Sequence, residues 1–426
     1  MLYYSTNRQS PSVTFREAAL QGQPLDKGLF FPEKITVFAD SLLTKSKAEI
    51  AFETIRPYVG ETIPDETLYR ICEETIDFDF PLVKVTEDIY SLELFHGPTL
   101  AFKDVGARFM SRCLGYFARD FKNKIVVLVA TSGDTGGAVA NGFYGVEGVD
   151  VVILYPSGKV SRVQELQLTT LGKNITALEV NGTFDDCQRL VKQALADADI
   201  LEKVFLTSAN SINVARWLPQ KFYYYFALKQ WNERDAPVVC VPSGNFGNIC
   251  SGLLAKTEGL QTKNFIAACN ANDVFPRYLQ NGNYQPKQSV ATLSNAMDVG
   301  NPSNFVRVLE IFANDFPQLK NVVSSLSVDD ETTSETIREV IEKYNYLLDP
   351  HGAVGFHALQ NYLREHEGEK GFFLATAHPV KFDSVEKIVR KKTEVPDSIK
   401  ELLTRQKESV KVENDYDSVK ETILSI

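Results

Sequence analysis

Lys103 stands in the stretch His96-Gly-Pro-Thr-Leu-Ala-Phe-Lys-Asp, between a strand-like run at 90–95 and a helical pattern that starts near Val105. Leu100, Ala101 and Phe102 flank it. Apolar surroundings desolvate an amine and lower its pKa toward the uncharged, nucleophilic form. Three turns rich in Gly, Ser, Thr and Asn each follow an apolar run: 131–137 (TSGDTGG), 156–161 (PSGKVS) and 242–248 (PSGNFGN). Consecutive small residues let backbone N–H groups converge, and a helix that follows adds its positive end, so such a turn can hold a phosphate. A well-capped helix start accounts for one turn of this kind; two in one sheet make anion binding the better account. An amine nucleophile beside a phosphate cradle suits pyridoxal 5'-phosphate, which offers an aldehyde to the amine and a phosphate to the turn.

Other chemistries fail on detail. There is no Gly-x-x-x-x-Gly-Lys-[Ser/Thr], no Gly-x-Gly-x-x-Gly after a strand, no Gly-x-Ser-x-Gly and no His-Glu-x-x-His. The five histidines, at 96, 351, 357, 366 and 378, lack metal-ligand spacing, and the six cysteines form no Cys-x-x-Cys pair. His351, in Leu348-Asp-Pro-His-Gly, sits at a turn and helix start, beside a site rather than acting in it. Against 45 Lys and Arg stand 55 Asp and Glu, a net charge of -10, so the molecule repels a phosphate backbone and no nucleic acid is expected as partner. No apolar run approaches the roughly 20 residues that span a bilayer. The start MLYYSTNRQS lacks a basic region followed by an apolar one, so a cytoplasmic protein without membrane contact is expected.

The elements that must position these residues follow one rhythm from about Lys124 onward: a short β-branched run, a small-residue turn, then a helical pattern. Runs at 125–130, 149–154, 175–180, 204–207, 238–241, 265–269 and 372–375 are apolar without alternation, as expected of parallel strands buried on both faces. Ligands of such sheets bind at the carboxyl ends of the strands. The first 84 residues carry helical patterns at 49–58 and 65–74 and no strand series, which predicts an N-terminal helical extension. Residues 280–302, rich in Asn, Gly, Gln and Pro, predict a long loop, and 325–333 the opening of a helix. After Asp383 the chain is dominated by Lys, Glu and Asp, which predicts a solvated tail.

Taken together, Tyr3-Tyr4-Ser-Thr-Asn-Arg, HGPTLAFKD, TSGDTGGA, PSGNFGN, DPHGAVGF and Thr376-Ala-His-Pro-Val-Lys-Phe resemble, in order and over nearly the whole chain, the threonine synthase family in its longer subclass of bacteria and fungi. The resemblance implies an α/β fold of the second major type of pyridoxal-phosphate enzymes, with two parallel-sheet domains and the cofactor between them. The segments expected are an extension at 1–84, a large cofactor-binding domain from 85–103 and 217–385, a small domain at 104–216 and a tail at 386–426. The activity implied is conversion of O-phospho-L-homoserine and water to L-threonine and phosphate, by a monomer or weak homo-oligomer. A related phospho-lyase giving 2-oxobutyrate, ammonia and phosphate uses the same residues for its early steps. A cofactor-free binding protein is disfavoured by the retention of Lys103 and the phosphate turns. By the resemblance, Lys103 is the Schiff-base lysine. Gly244, Asn245, Phe246, Gly247 and Asn248 hold the cofactor phosphate, and Thr376 meets the pyridine nitrogen. Ser132, Gly133 and Thr135 grip the substrate carboxylate, and Asp134, standing where the shorter subclass has Asn, faces the cofactor's 3'-oxygen. Ser211 and Arg216 bind the substrate phosphate, with Lys159 of the PSGKVS turn as a further candidate.

Overall fold

The computed structural model describes residues 1–121 and 124–425. Its strands are β1 (Leu2–Ser5), β2 (Val13–Thr14), β3 (Phe30–Pro32), β4 (Leu82–Lys84), β5 (Ile89–Glu93), β6 (Ile125–Ala130) and β7 (Val149–Pro156). They continue with β8 (Ile175–Val180), β9 (Phe205–Ser208), β10 (Val238–Pro242), β11 (Phe265–Cys269), β12 (Val323–Ser327), β13 (Gly371–Ala375) and β14 (Val410–Val412). One sheet has the order β12-β11-β10-β13-β5-β4 and is parallel except for the β4–β5 hairpin pairing. A second, all parallel, has the order β14-β8-β7-β6-β9. Every residue of β6, β10, β11 and β13 is buried, because helices cover both faces of each sheet. Six of the seven expected apolar runs therefore become inner strands of an α/β architecture, and the run at 204–207 becomes the edge strand β9.

Three expectations are corrected. The first 84 residues contain the helices Lys47–Val59 and Asp65–Thr75, but also a three-stranded antiparallel sheet in the order β2-β1-β3, with strands too short to show a period. Residues 323–327 form the strand β12, and the helix Asp330–Tyr344 starts only after Asp329, whose carboxylate accepts from Thr332 N–H. The segment after 386 is no free tail: β14 pairs with β8, and the helix Tyr416–Ser425 buries Val419 and Ile423 against the same domain.

What positions the site is the meeting of strand ends. After β5 the chain turns through Leu100, at φ 57°, and its main chain pairs with the exit from β13. Phe102 N–H donates to Thr376 O at 2.9 Å and His378 N–H to Leu100 O at 3.1 Å. The turns after β6 and β10 open at the carboxyl ends of the other sheet and of this one.

Candidate active site

Lys103 is the first residue of the helix Lys103–Ala118 and its side chain is 16% exposed. Tyr223 donates from its hydroxyl to Phe102 O and so holds the start of that helix from the helix Phe222–Gln230. Burial lowers the Lys103 amine below the ordinary lysine range; Asp134 opposes this, and the charges of Lys381 and Arg216 add to it. The next residue, Asp104, is buried and accepts from both the N–H and the hydroxyl of Thr99. Desolvation nevertheless raises its carboxyl to about 6.

Asp134 opens the helix Asp134–Phe143 behind the TSGDTGG turn. Thr131 Oγ1 ties that turn by accepting from Gly133 N–H at 2.9 Å and Gly136 N–H at 2.8 Å. Gly133 has φ 132°, which L-residues rarely adopt, and a Cβ there would lie 2.6 Å from Gln164 Oε1. Asp134 Oδ1 takes Lys381 Nζ at 2.8 Å and Gln164 Nε2 at 2.9 Å, while Oδ2 lies 3.9 Å from Lys103 Nζ. Burial works against its ionised form, but Lys381 and then Lys103 outweigh it and hold the carboxyl well below the usual range. Lys381, fully buried, also donates to Thr99 O at 2.7 Å. Neither Gln164 nor Lys381 was marked by sequence. Each had one available signal: it lies within eight residues of a strand's carboxyl end, where ligands of parallel sheets bind, Gln164 in the first turn of the helix Arg162–Thr169 and Lys381 at the end of Thr376-Ala-His-Pro-Val-Lys.

The PSGNFGN turn is held from within. Phe246 has φ 62° and its ring packs on Phe275 and Phe305, so toward a ligand it offers only its main chain. A Cβ on Gly244 would lie 2.6 Å from Met297 Cα: this glycine is required by the neighbouring loop, whose Ala296 N–H donates to His351 Nε2 at 3.3 Å. Asn245 Nδ2 donates to Ser211 Oγ at 2.7 Å and Asn304 Nδ2 to Asn245 O at 3.1 Å. Gly247 begins the helix Gly247–Thr257, and Asn248 Oδ1 accepts from Tyr224 at 2.8 Å while its Nδ2 is buried without a partner. Ser211 thus joins the glycine turn rather than Arg216. Arg216, buried, donates from Nη1 to Ala209 O, and its Nε has no partner. Lys159 is exposed to solvent. Thr376 is 7% exposed at the exit of β13. Asn304, missed by sequence, is oriented by the buried Arg307, which donates to its Oδ1 at 2.8 Å.

These groups fit pyridoxal 5'-phosphate: a desolvated amine, and a helix start whose buried amide donor at Asn248 awaits an acceptor. Residues 79–376 match the family model of pyridoxal-phosphate dependent enzymes, and fold and site together define an enzyme of that class, of the second major fold type. Residues 2–76 match the model of the threonine synthase N terminus and 352–423 that of the threonine synthase C-terminal region. Threonine synthase of Haemophilus influenzae is 46% identical over 404 residues, 94% of either chain. The crystal structure of the Escherichia coli threonine synthase superposes with a TM-score of 0.92 at 42% identity, covering 100% of both chains. The pyridoxal-phosphate-bound enzyme of Brucella melitensis gives 0.92 at 34% identity over 99% of this chain and 98% of that one. The chain belongs to the threonine synthase family.

Proposed function

We propose that this site converts O-phospho-L-homoserine and water to L-threonine and phosphate. The observation that carries the reading is Lys103, a buried amine of lowered pKa at the junction of the two sheets' carboxyl ends. Bound pyridoxal 5'-phosphate supplies an electron sink for charge developing on an amino acid's carbons. Lys103 would anchor the cofactor, and its amine, once released, would move protons at the substrate's Cα and then at Cβ. The main chain of 244–248 and the amide of Asn248 would hold the cofactor phosphate, and Thr376, at the exit of β13, would supply a hydroxyl for the ring nitrogen. Ser132, Gly133 and Thr135, at the positive end of the helix Asp134–Phe143, grip the substrate carboxylate. Arg216, whose buried Nε lacks a partner, would receive the phosphate that leaves Cγ. Water gives its hydroxyl to Cβ, and Lys103 returns protons to the carbon skeleton.

Water must be kept out until phosphate has gone. Closure of the small domain, 104–216, over the large one, 85–103 and 217–385, is the device we propose. The six cysteines are buried and unpaired, which suits a reducing, cytoplasmic setting; a monomer or weak homo-oligomer is part of the same proposal. Incubation of the purified protein with O-phosphohomoserine tests the reading. Threonine and phosphate should appear in equal amounts, and 2-oxobutyrate with ammonia in place of threonine would establish the phospho-lyase instead. Lys103→Ala should lose both the cofactor's visible absorbance and threonine formation.

A further inference from the structure

Asp134 is a buried carboxylate with two lysines on it, and the two are held differently. Lys381 lies 2.8 Å from Oδ1, is fully buried and is fixed a second time by Thr99 O at 2.7 Å. Lys103 lies 3.9 Å from Oδ2, beyond hydrogen-bond range, with an exposed fraction of 16%. A buried anion with one cation in reach holds that cation charged. A lysine that must attack an aldehyde and carry protons has to give its charge up. The geometry points to Lys381 as the positioning residue that neutralises Asp134, leaving Lys103 free to react as an uncharged amine. The inference rests on the reading of Lys103 as the cofactor's lysine.

The other charges in the neighbourhood do not replace it. Lys103 faces Asp134, Lys381 and Arg216; Lys381 faces Asp134, Asp104 and His378. Asp104 is engaged by Thr99, and Arg216 adds only further positive charge. Without Lys381, Asp134 would have Lys103 as its only lysine counter-ion among the described residues.

The test follows capture of pyridoxal 5'-phosphate by the full-length chain freed of cofactor, by visible absorbance against pH. The cofactor's own titration is common to all chains, so differences in midpoint report the attacking amine. In Lys381→Met the midpoint should rise by about one pH unit, making capture at neutral pH about tenfold slower. Lys381→Arg should keep the original midpoint, and Lys381→Met combined with Asp134→Asn should bring it back. A folded Lys381→Met chain with the original midpoint overturns the inference, as does a double variant that stays shifted. Should Lys381→Met fail to fold, Asp134→Asn alone decides: it removes the anion and should lower the midpoint, and an unmoved midpoint refutes the proposal. Lys103→Ala separates this from the underlying reading, since undiminished capture by that variant would show that Lys103 is not the lysine at all.

Discussion

Arg216 is buried, and burial lowers its pKa to about 10 although Tyr223 and Asp104 favour its charge. Among the described residues no carboxylate forms an ion pair with it, and its Nε is unpartnered. A buried charge in that condition is costly unless a ligand supplies the missing anion. Arg216→Ala should therefore lower kcat/KM for O-phosphohomoserine about ten- to a hundredfold, the range for one lost bond to a charged group. Exchange of the Cα proton of alanine in heavy water, which needs no phosphate contact, should change little in the same variant; equal losses in both would make Arg216 a residue of the fold. Sequence made the glycine turns and Lys103 legible, because small residues after apolar runs restrict what those turns can be. It could not show that Gly244 answers to Met297, or that Lys381 completes the surroundings of Lys103, since those contacts join segments far apart in the chain.

The short 3-10 turn Pro379–Lys381 delivers Lys381 to the site, and His378 caps it, its Nδ1 accepting from Val380 N–H at 3.1 Å. Burial, with the neighbouring His96, depresses His378 from 6.5 to about 4, so the folded chain keeps it neutral where the unfolded chain binds a proton. The stability this contributes is complete above pH 6.5 and is lost as pH falls toward about 4. Because the raised carboxyl of Asp104 acts in the opposite direction in both chains, the His378 contribution is read as a difference: urea unfolding across that interval should show the parent losing stability relative to His378→Gln as pH falls. The central strands were legible because burial on both faces leaves only apolar residues. At the sheet edges β9 was legible as the run 204–207, but β12, which reads Val-Ser-Ser-Leu-Ser, and β14, a three-residue strand within a charged segment, were not. Lys407 fastens the last segment, reaching Glu165 at 2.5 Å on the helix that carries Gln164 and Glu179 at 2.7 Å on β8. Lys407→Ala should cost about 1 kcal/mol, given its partial exposure. A chain ending at 405 should lose far more, with hydrogen exchange rising first along β8.

At the scale of the molecule, Lys221 and Glu258 form an ion pair at 2.6 Å with neither side chain exposed. Tyr225 donates to the other oxygen of Glu258 at 2.7 Å, and Lys221 Nζ sits 3.8 Å from the centroid of the Tyr58 ring. The N-terminal region, the 3-10 turn Leu218–Lys221 and the end of the helix Gly247–Thr257 are joined there. Lys221→Met strands a buried carboxylate and should cost about 3–5 kcal/mol in urea unfolding, most of it recovered when Glu258→Leu is added. The pairing of β5 with β13 reaches further than stability. Residues 89–93 leave the ribosome long before 371–375, and at about 5–20 residues per second the delay is on the order of tens of seconds. Until then one edge of β5 lacks its neighbour, and such edges recruit other chains. The newborn polypeptide can capture its cofactor with a complete set of partners only after Lys381 emerges, so holoenzyme assembly waits on a residue made long after Lys103.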